Sequence, residues 1–247
     1  MLLASARTPD DLEQKVRRRL GGTPLEQVVG WAEFAGLRVA VEPGVFVPRR
    51  RTELLLRYAL LLAPPRPVVV ELCCGSAALS LAVGSTLTYA ELYATDIDPA
   101  ALRCAHRNLA SLQAACVLQG DLYEPLPPSL TGRVDLLLAN PPYVPTGAIA
   151  LMPPEARLYE PRIALDGGSD GLEIQRRIAA GAARWLAPDG RVLVETSHSQ
   201  VDGTVAAFQC HRLATEVGTA DDLDATVVIG WLPSARRLQS QSGARQH

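Results

Sequence analysis

Val68-Val69-Val70-Glu71-Leu72-Cys73-Cys74-Gly75-Ser76-Ala77 is a run of β-branched and apolar residues that gives way to a string of small ones. Such a run reads as a strand buried on both faces, opening into a turn where the backbone can approach a ligand. A helix from Ser76 follows, and the alternation then repeats. A second strand ends at Ala94-Thr95, and a helix opens at Asp98-Pro99. Ala115 to Leu118 is a third strand and Val134 to Ala139 a fourth. A helix from about Leu172 to Trp185 leads into a fifth strand, Arg191 to Glu195. Strands alternating with helices predict an α/β fold with a doubly wound, mostly parallel sheet and ligands at the strands' carboxyl ends. Leu213 to Val217 and Ala225 to Ile229 leave little room for a helix between them and read as an antiparallel pair, making seven strands.

Upstream of the first strand the chain is short. Thr8-Pro9-Asp10-Asp11 starts a helix, with a capping hydroxyl, proline in the first turn and acids facing the helix dipole. That helix should stop near Gly21-Gly22, and another runs from Thr23-Pro24 to Gly30. Leu37 to Val41 and Val45 to Val47, joined through Glu42-Pro43-Gly44, read as a hairpin, and Thr52 as the cap of an apolar helix through Leu62. The expected organisation is a helical segment over 1–35, a sheet domain over 36–233 and a Ser/Gln/Arg-rich disordered tail over 234–247.

The 247 residues are 48% hydrophobic, enough to bury one α/β core. A formal net charge of −2 gives no global field toward nucleic acid or an anionic membrane. Lys15 is the only lysine, and the run Arg17-Arg18-Arg19 reads as a solvated helix face. No apolar run approaches the ~20 residues that span a bilayer. The five cysteines, at 73, 74, 104, 116 and 210, are odd in number and lack metal-binding spacing. Reduced thiols in a cytoplasmic protein without a resident metal are the simplest account.

Three features carry chemistry. The turn from Glu71 through Cys73, Cys74, Gly75, Ser76 and Ala77 is a candidate cofactor loop, with an ordinary strand-to-helix turn as the alternative. It lacks the G-x-G-x-x-G of a dinucleotide site, so no pyrophosphate is indicated, whereas S-adenosylmethionine has none. Asp96 ends the second strand, where an acid can accept both ribose hydroxyl protons, and Asp121 follows the third, within reach of an adenine. Ile97 and Leu122 are taken with them as cofactor-side residues, while Asp98 suits the cap of the next helix. Finally Asn140-Pro141-Pro142-Tyr143 follows the fourth strand. In isolation it is a turn; at that place it can grip a planar, nitrogen-bearing acceptor, with Asn140 touching cofactor and acceptor alike. His106, His198 and His211 lack a paired nucleophile or base and read as surface or packing residues.

These residues resemble the HemK-like protein glutamine-N5 methyltransferases, which modify the Gly-Gly-Gln glutamine of peptide chain release factors. The similarity runs from about Gly22 to Ile229. Val47-Pro48-Arg49 with Thr52-Glu53 is similar to the family's I-P-R-P-E-T-E. Glu160-Pro161-Arg162-Ile163-Ala164-Leu165-Asp166-Gly167-Gly168, continued by Asp170-Gly171-Leu172, is similar to its E-P-x-x-A-L-x-G-G-x-D-G-L. Glu195 and Gln200 match a late E-x-G-x-x-Q pattern. Arg50 and Arg51 replace the family's Pro-Glu, Ala77 replaces a glycine, and the stretch before Gly22 is far shorter than the family's helical amino-terminal domain.

The resemblance implies that the Asn140 side-chain oxygen and the Pro141 carbonyl accept the two protons of an acceptor amide, with Tyr143 stacked on its plane. It also implies a protein partner with an exposed glutamine. The alternatives are a methyltransferase for an exocyclic amine of an RNA or DNA base, which uses the same tetrapeptide on an extruded base, and a non-catalytic S-adenosylmethionine-binding partner protein, against which an intact Asn140 argues.

Overall fold

The computed structural model describes residues 1–233. The expectation for the 234–247 tail lies outside the described residues. Short helices α1 (Leu2–Ser5), α2 (Pro9–Leu20) and α3 (Leu25–Val29) come first, then β1 (Trp31–Phe34), β2 (Leu37–Ala40) and α4 (Glu53–Leu62). The main sheet follows: β3 (Val68–Leu72), α5 (Ala78–Thr86), β4 (Glu91–Asp96), α6 (Pro99–Leu109), β5 (Ala115–Gln119) and β6 (Val134–Ala139). The chain closes with α7 (Pro154–Tyr159), α8 (Glu173–Trp185), β7 (Leu186–Thr196), α9 (Val201–Cys210), β8 (Ala214–Ala220) and β9 (Ala225–Trp231).

The seven strands stand in the order β5-β4-β3-β6-β7-β9-β8. The β3–β4, β4–β5, β3–β6 and β6–β7 pairs are parallel; β7–β9 and β8–β9 are antiparallel. The chain winds outward from β3 to β5 and then returns to lay β6 on the other side of β3. That reversal is a topological switch point, where a crevice opens at the strands' carboxyl ends. It also explains how residues 73 and 140, far apart in sequence, become neighbours: each is the first residue past a strand flanking the crevice.

Burial follows the sheet. Every residue of β3 is buried, and Val69, Val70, Leu72, Leu136, Leu137, Leu138, Val192, Leu193 and Val194 are inaccessible to solvent. At ~1.5–3 kcal/mol per fully buried aliphatic side chain, this central slab supplies the main stabilisation. Amphipathic α8 buries Ile178, Ala179, Ala182 and Trp185 on one face, and α6 buries Leu102, Ala105 and Leu109 on the other. Among the described residues no helix is long and apolar enough to cross a membrane.

Several local expectations need correction. The hairpin lies one strand earlier than expected: β1 pairs antiparallel with β2, Trp31 opposite Ala40 and Phe34 opposite Leu37. The turn residues Ala35 and Gly36 both have positive φ (50° and 76°), the two-residue geometry that matches strand twist. The stretch from Val41 to Val47 turns tightly, with the Val45 amide donating to the Glu42 carbonyl, and buries its valines against Ala32, Ala101 and Cys104 instead of forming a strand. Thr52 stands before α4 but makes no capping hydrogen bond; a 3₁₀ turn over Arg50–Thr52 precedes the helix. The helix expected from Ser76 begins at Ala78, because Ala77 is left-handed at φ 58°. Helix α9 carries no clear signal in the sequence, because its small residues (Gly203, Thr204, Ala206, Ala207) give little helical period. Helix α2 starts as expected, with the Thr8 hydroxyl accepting from the Asp11 amide at 3.1 Å, and is preceded by the short α1, for which the sequence carries no start signal.

Candidate active site

The crevice at the switch point is a cleft of about 760 Å³. It is lined by Cys73 and Gly75 after β3, Asp96 to Asp98 at the end of β4, Gly120 to Leu122 after β5, and Asn140 to Val144 after β6. Phe46, Arg49, Arg51, Met152 and Ile163 also line it.

The Asp96 carboxylate organises the near side. One oxygen accepts from the Gly75 amide at 2.7 Å and the other from the Asp98 amide at 2.9 Å. The Ile97 amide acts on the same carboxylate, which still keeps acceptor capacity for a ligand hydroxyl. Burial raises this carboxyl above its ordinary range, against the pull of those backbone donors. Asp98 caps α6 by accepting from the Ala100 amide at 2.8 Å, as expected. Gly75 has φ 54°, and a Cβ placed there would meet no atom within 4 Å, so the turn offers a bare backbone to open space. Asp121 is held at 2.6 Å by Arg177, a cleft residue the sequence reading did not single out. Leu122, at φ 49°, lines the cleft, and its carbonyl accepts from the buried Thr95 hydroxyl.

Not every residue of the expected loop faces the cleft. Cys73, Gly75, Asp96, Ile97, Asp121, Leu122 and Asn140 line it; Glu71, Cys74, Ser76 and Ala77 do not. Glu71 is buried beneath the turn, accepts from both the backbone amide and the hydroxyl of Ser80, and is pushed by burial to about 7. It ties β3 to the first turn of α5. The Ser76 carbonyl accepts from Asn108 at 2.8 Å, and the Ala77 methyl is buried in the core. Burial pushes the Cys73 and Cys74 thiols far up, so neither is a thiolate nucleophile near neutral pH. All five cysteines are unpaired.

The far side is built around Asn140-Pro141-Pro142-Tyr143. The Asn140 Nδ2 donates to the Thr52 hydroxyl at 3.1 Å, which leaves Oδ1 for the cleft. The Tyr143 carbonyl accepts from Gln200 Nε2 at 2.9 Å, and the Tyr143 hydroxyl accepts from Arg51 at 3.4 Å. Behind this loop lies the Glu160–Leu172 block. Val144 exchanges backbone hydrogen bonds with Leu165 and Gly167. A Cβ at Gly167 would lie 2.8 Å from the Pro142 carbonyl oxygen and the Tyr143 Cα; one at Gly171 would fall on the Tyr143 carbonyl and the Gln200 amide. These glycines let the block close against the tetrapeptide, so its role is to back the site.

Glu160 opens that block and anchors it. Its side chain is 1% exposed and takes both carboxylate oxygens to Arg49 Nη2 at 2.6 Å, while Oε1 also accepts from the Val47 amide at 3.1 Å. Arg49→Ala would strand a buried carboxylate. Breaking a fully buried pair costs ~3–5 kcal/mol. Because the Arg49 side chain retains 33% exposure, the expected loss is nearer ~2 kcal/mol, read as a lower urea midpoint with an unchanged slope. An unchanged midpoint would show the pair to be ornamental. Of the two arginines that depart from the family pattern, Arg51 lines the cleft, beside Tyr143, and Arg50 does not. The three histidines singled out in the sequence are exposed.

Comparison with known proteins agrees with this geometry. Residues 36–152 match the family model described as "Methyltransferase small domain". The chain is 41% identical over 213 residues to the release factor glutamine methyltransferase of Mycolicibacterium smegmatis, covering 85% of this chain and 75% of that one. It belongs to the release factor glutamine methyltransferase family. The Geobacter sulfurreducens relative of the same name is 38% identical over 78% of this chain and 67% of its own length. At 38% identity, over 78% of this chain and 68% of the other, stands a Streptomyces pristinaespiralis enzyme named 4-amino-L-phenylalanine/4-methylamino-L-phenylalanine methyltransferase. A crystal structure of a methyltransferase from Pyrococcus furiosus superposes with TM-score 0.61 at 15% identity, over 88% of this chain and 98% of that one, which shows the shared fold. Family and fold together imply S-adenosylmethionine as methyl donor.

Proposed function

We propose that the chain transfers a methyl group from S-adenosylmethionine to the side-chain amide nitrogen of a protein glutamine, as on the Gly-Gly-Gln loop of a peptide chain release factor. The observation that carries this reading is Asn140 at the switch point, its Nδ2 committed to Thr52 and its Oδ1 left for the cleft. The near side fits the donor: an open glycine turn beside a carboxylate with acceptor sites to spare, and no cradle for a pyrophosphate. Gly75, Asp96, Ile97, Asp121 and Leu122 would hold it, and when bound it supplies an electrophilic methyl on a sulfonium.

The protein's task is positioning. An amide nitrogen is a poor nucleophile because its lone pair is delocalised into the carbonyl. Asn140 Oδ1 and the Pro141 carbonyl accept its two N–H bonds, aim the nitrogen and favour the positive charge that develops there. The fixed φ of proline lowers the cost of presenting that carbonyl. Tyr143 stacks on the amide plane. The proton becomes acidic only once the new bond forms, so no general base is required.

Two observations favour a second reading, methyl transfer to the aromatic amine of a free amino acid whose carboxylate pairs with a cleft cation. Arg51 is a cleft guanidinium with no carboxylate within ion-pair distance among the described residues, and a relative of equal similarity is named for an amino acid bearing an aromatic amine. Incubation with isotopically labelled S-adenosylmethionine and, in parallel, release factors, Gly-Gly-Gln peptides, total RNA and 4-aminophenylalanine separates the readings. Methylglutamine in a protein or peptide digest is the expected result. Label confined to the free amino acid or to RNA would replace the glutamine reading by the corresponding alternative.

A further inference from the structure

Glu195, near the end of β7, is buried to 1% exposure, and neither carboxylate oxygen has a hydrogen bond of ordinary geometry, the Thr52 hydroxyl being the polar group that acts on it. No other carboxylate among the described residues is orphaned in this way. Burying an unpaired carboxylate costs several kcal/mol, so its presence calls for a reason. Its place supplies one. In the parallel β6–β7 ladder Ala139 pairs with Val194, so Asn140 and Glu195 are the next residues along the two neighbouring strands. Thr52 completes the group. Its hydroxyl oxygen accepts from Asn140 Nδ2, and the same hydroxyl offsets part of the burial of Glu195.

We propose that Glu195 is a positioning residue for methyl transfer: it accepts a hydrogen bond from the Thr52 hydroxyl, commits the Thr52 oxygen to Asn140 Nδ2, and so holds Asn140 Oδ1 toward the acceptor. This rests on the reading that Asn140 grips the acceptor's N–H group. The two ends of an amide are nearly the same size, and only their hydrogen bonds decide which one faces the cleft. A hydroxyl can donate or accept. If Thr52 donated to Asn140 Oδ1, the Nδ2 donor would turn to the cleft and oppose the acceptor's own N–H. An ionised carboxylate only accepts, so it fixes the direction of the chain; a protonated one can donate and releases it.

That direction is open to titration. Burial pushes Glu195 up to about 7, against the Thr52 hydroxyl and the charges of Arg51 and Arg49. Those arginines and the Tyr143 hydroxyl are the charged or titratable groups acting on it, and its partner on β9 is the apolar Val227. Glu195 is ionised above that value and neutral below it. Turnover should therefore fall as pH drops through neutrality.

The experiment pairs kinetics with a readout that needs no turnover. In ¹⁵N-labelled protein the Asn140 side-chain amide signals, identified by their loss in Asn140→Ala, should shift with a midpoint near 7. The midpoint should vanish in Glu195→Gln and in Thr52→Val. Thr52→Val should lower kcat about tenfold with cofactor KM unchanged, Thr52→Ser should recover most of that rate, and kcat of Glu195→Gln should be flat with pH. Should Thr52→Val fail a thermal-melt check, Glu195→Gln, which keeps the shape, decides alone. Asn140 signals indifferent to pH in the native protein, or to both substitutions, would overturn the proposal. Native protein that methylates no glutamine while its Asn140 signals still titrate would refute the glutamine reading and leave this hydrogen-bond chain standing.

Discussion

Asn140→Ala is expected to lower kcat about 10²–10³-fold, the effect of removing one preorganised group that stabilises developing charge, or ~2.7–4 kcal/mol of barrier. The fold should survive. Asn140 is half-buried, and its side chain donates to the Thr52 hydroxyl, a bond worth ~0.5–1.5 kcal/mol to stability. Cofactor binding should change little, because the Gly75–Asp96 side of the cleft is untouched. Single-turnover rates beside a melting curve make the distinction. Near-normal turnover would reduce Asn140 to a turn former, and a collapsed melt would make it a scaffold residue. Asn140→Asp sharpens the test: it keeps an acceptor but loses the donor that Thr52 receives, and it sets a second carboxylate next to Glu195 in the β6–β7 ladder. It should also be slow, for a reason of charge and direction rather than of missing contact.

The sequence made the sheet legible because its signals were local and strong. β3 and β6 are apolar runs interrupted by a single acid each, Glu71 and Asp135, and Asp98-Pro99 marks a helix start without ambiguity. The hairpin was misplaced because Glu42-Pro43-Gly44 is the louder turn signal, while Ala35-Gly36, which makes the turn, depends on an alanine accepting positive φ. Proximity was also legible wherever topology dictates it, since the first residues after β3, β4, β5 and β6 must converge at a switch point. What could not be read were side-chain partners from distant segments. Thr52 has the sequence signature of a helix cap, and only the fold turns its hydroxyl toward Asn140. The Glu160–Arg49 pair spans 111 residues, and the Asp121–Arg177 pair 56. Glu71 illustrates the converse. Its position beside the glycine turn suggested a ligand contact, yet strand alternation sends its carboxylate inward to Ser80.

Asp96→Ala should weaken S-adenosylmethionine binding by ~1.5–3 kcal/mol, the range for hydrogen bonds to a charged group, or about 10- to 150-fold in Kd. Two effects act in the same direction. The carboxylate would no longer offer acceptors to ribose hydroxyls, and the Gly75 and Asp98 amides, which it holds at 2.7 and 2.9 Å, would lose their anchor. Asp96→Asn separates them. An asparagine can keep one backbone amide through its oxygen but must turn an NH₂ toward the other, so the turn loosens on one side and the charge is gone. The pH dependence gives a further handle. Burial raises the Asp96 carboxyl, and only its ionised form accepts on both oxygens. Affinity in the native protein should therefore begin to fall on acidification at a higher pH than an ordinary carboxylate would allow, and Asp96→Asn should show no such step. Titration calorimetry across that range reads both the loss and the step. Native affinity in Asp96→Ala would place the cofactor elsewhere and remove the basis for assigning the near side of the cleft to it.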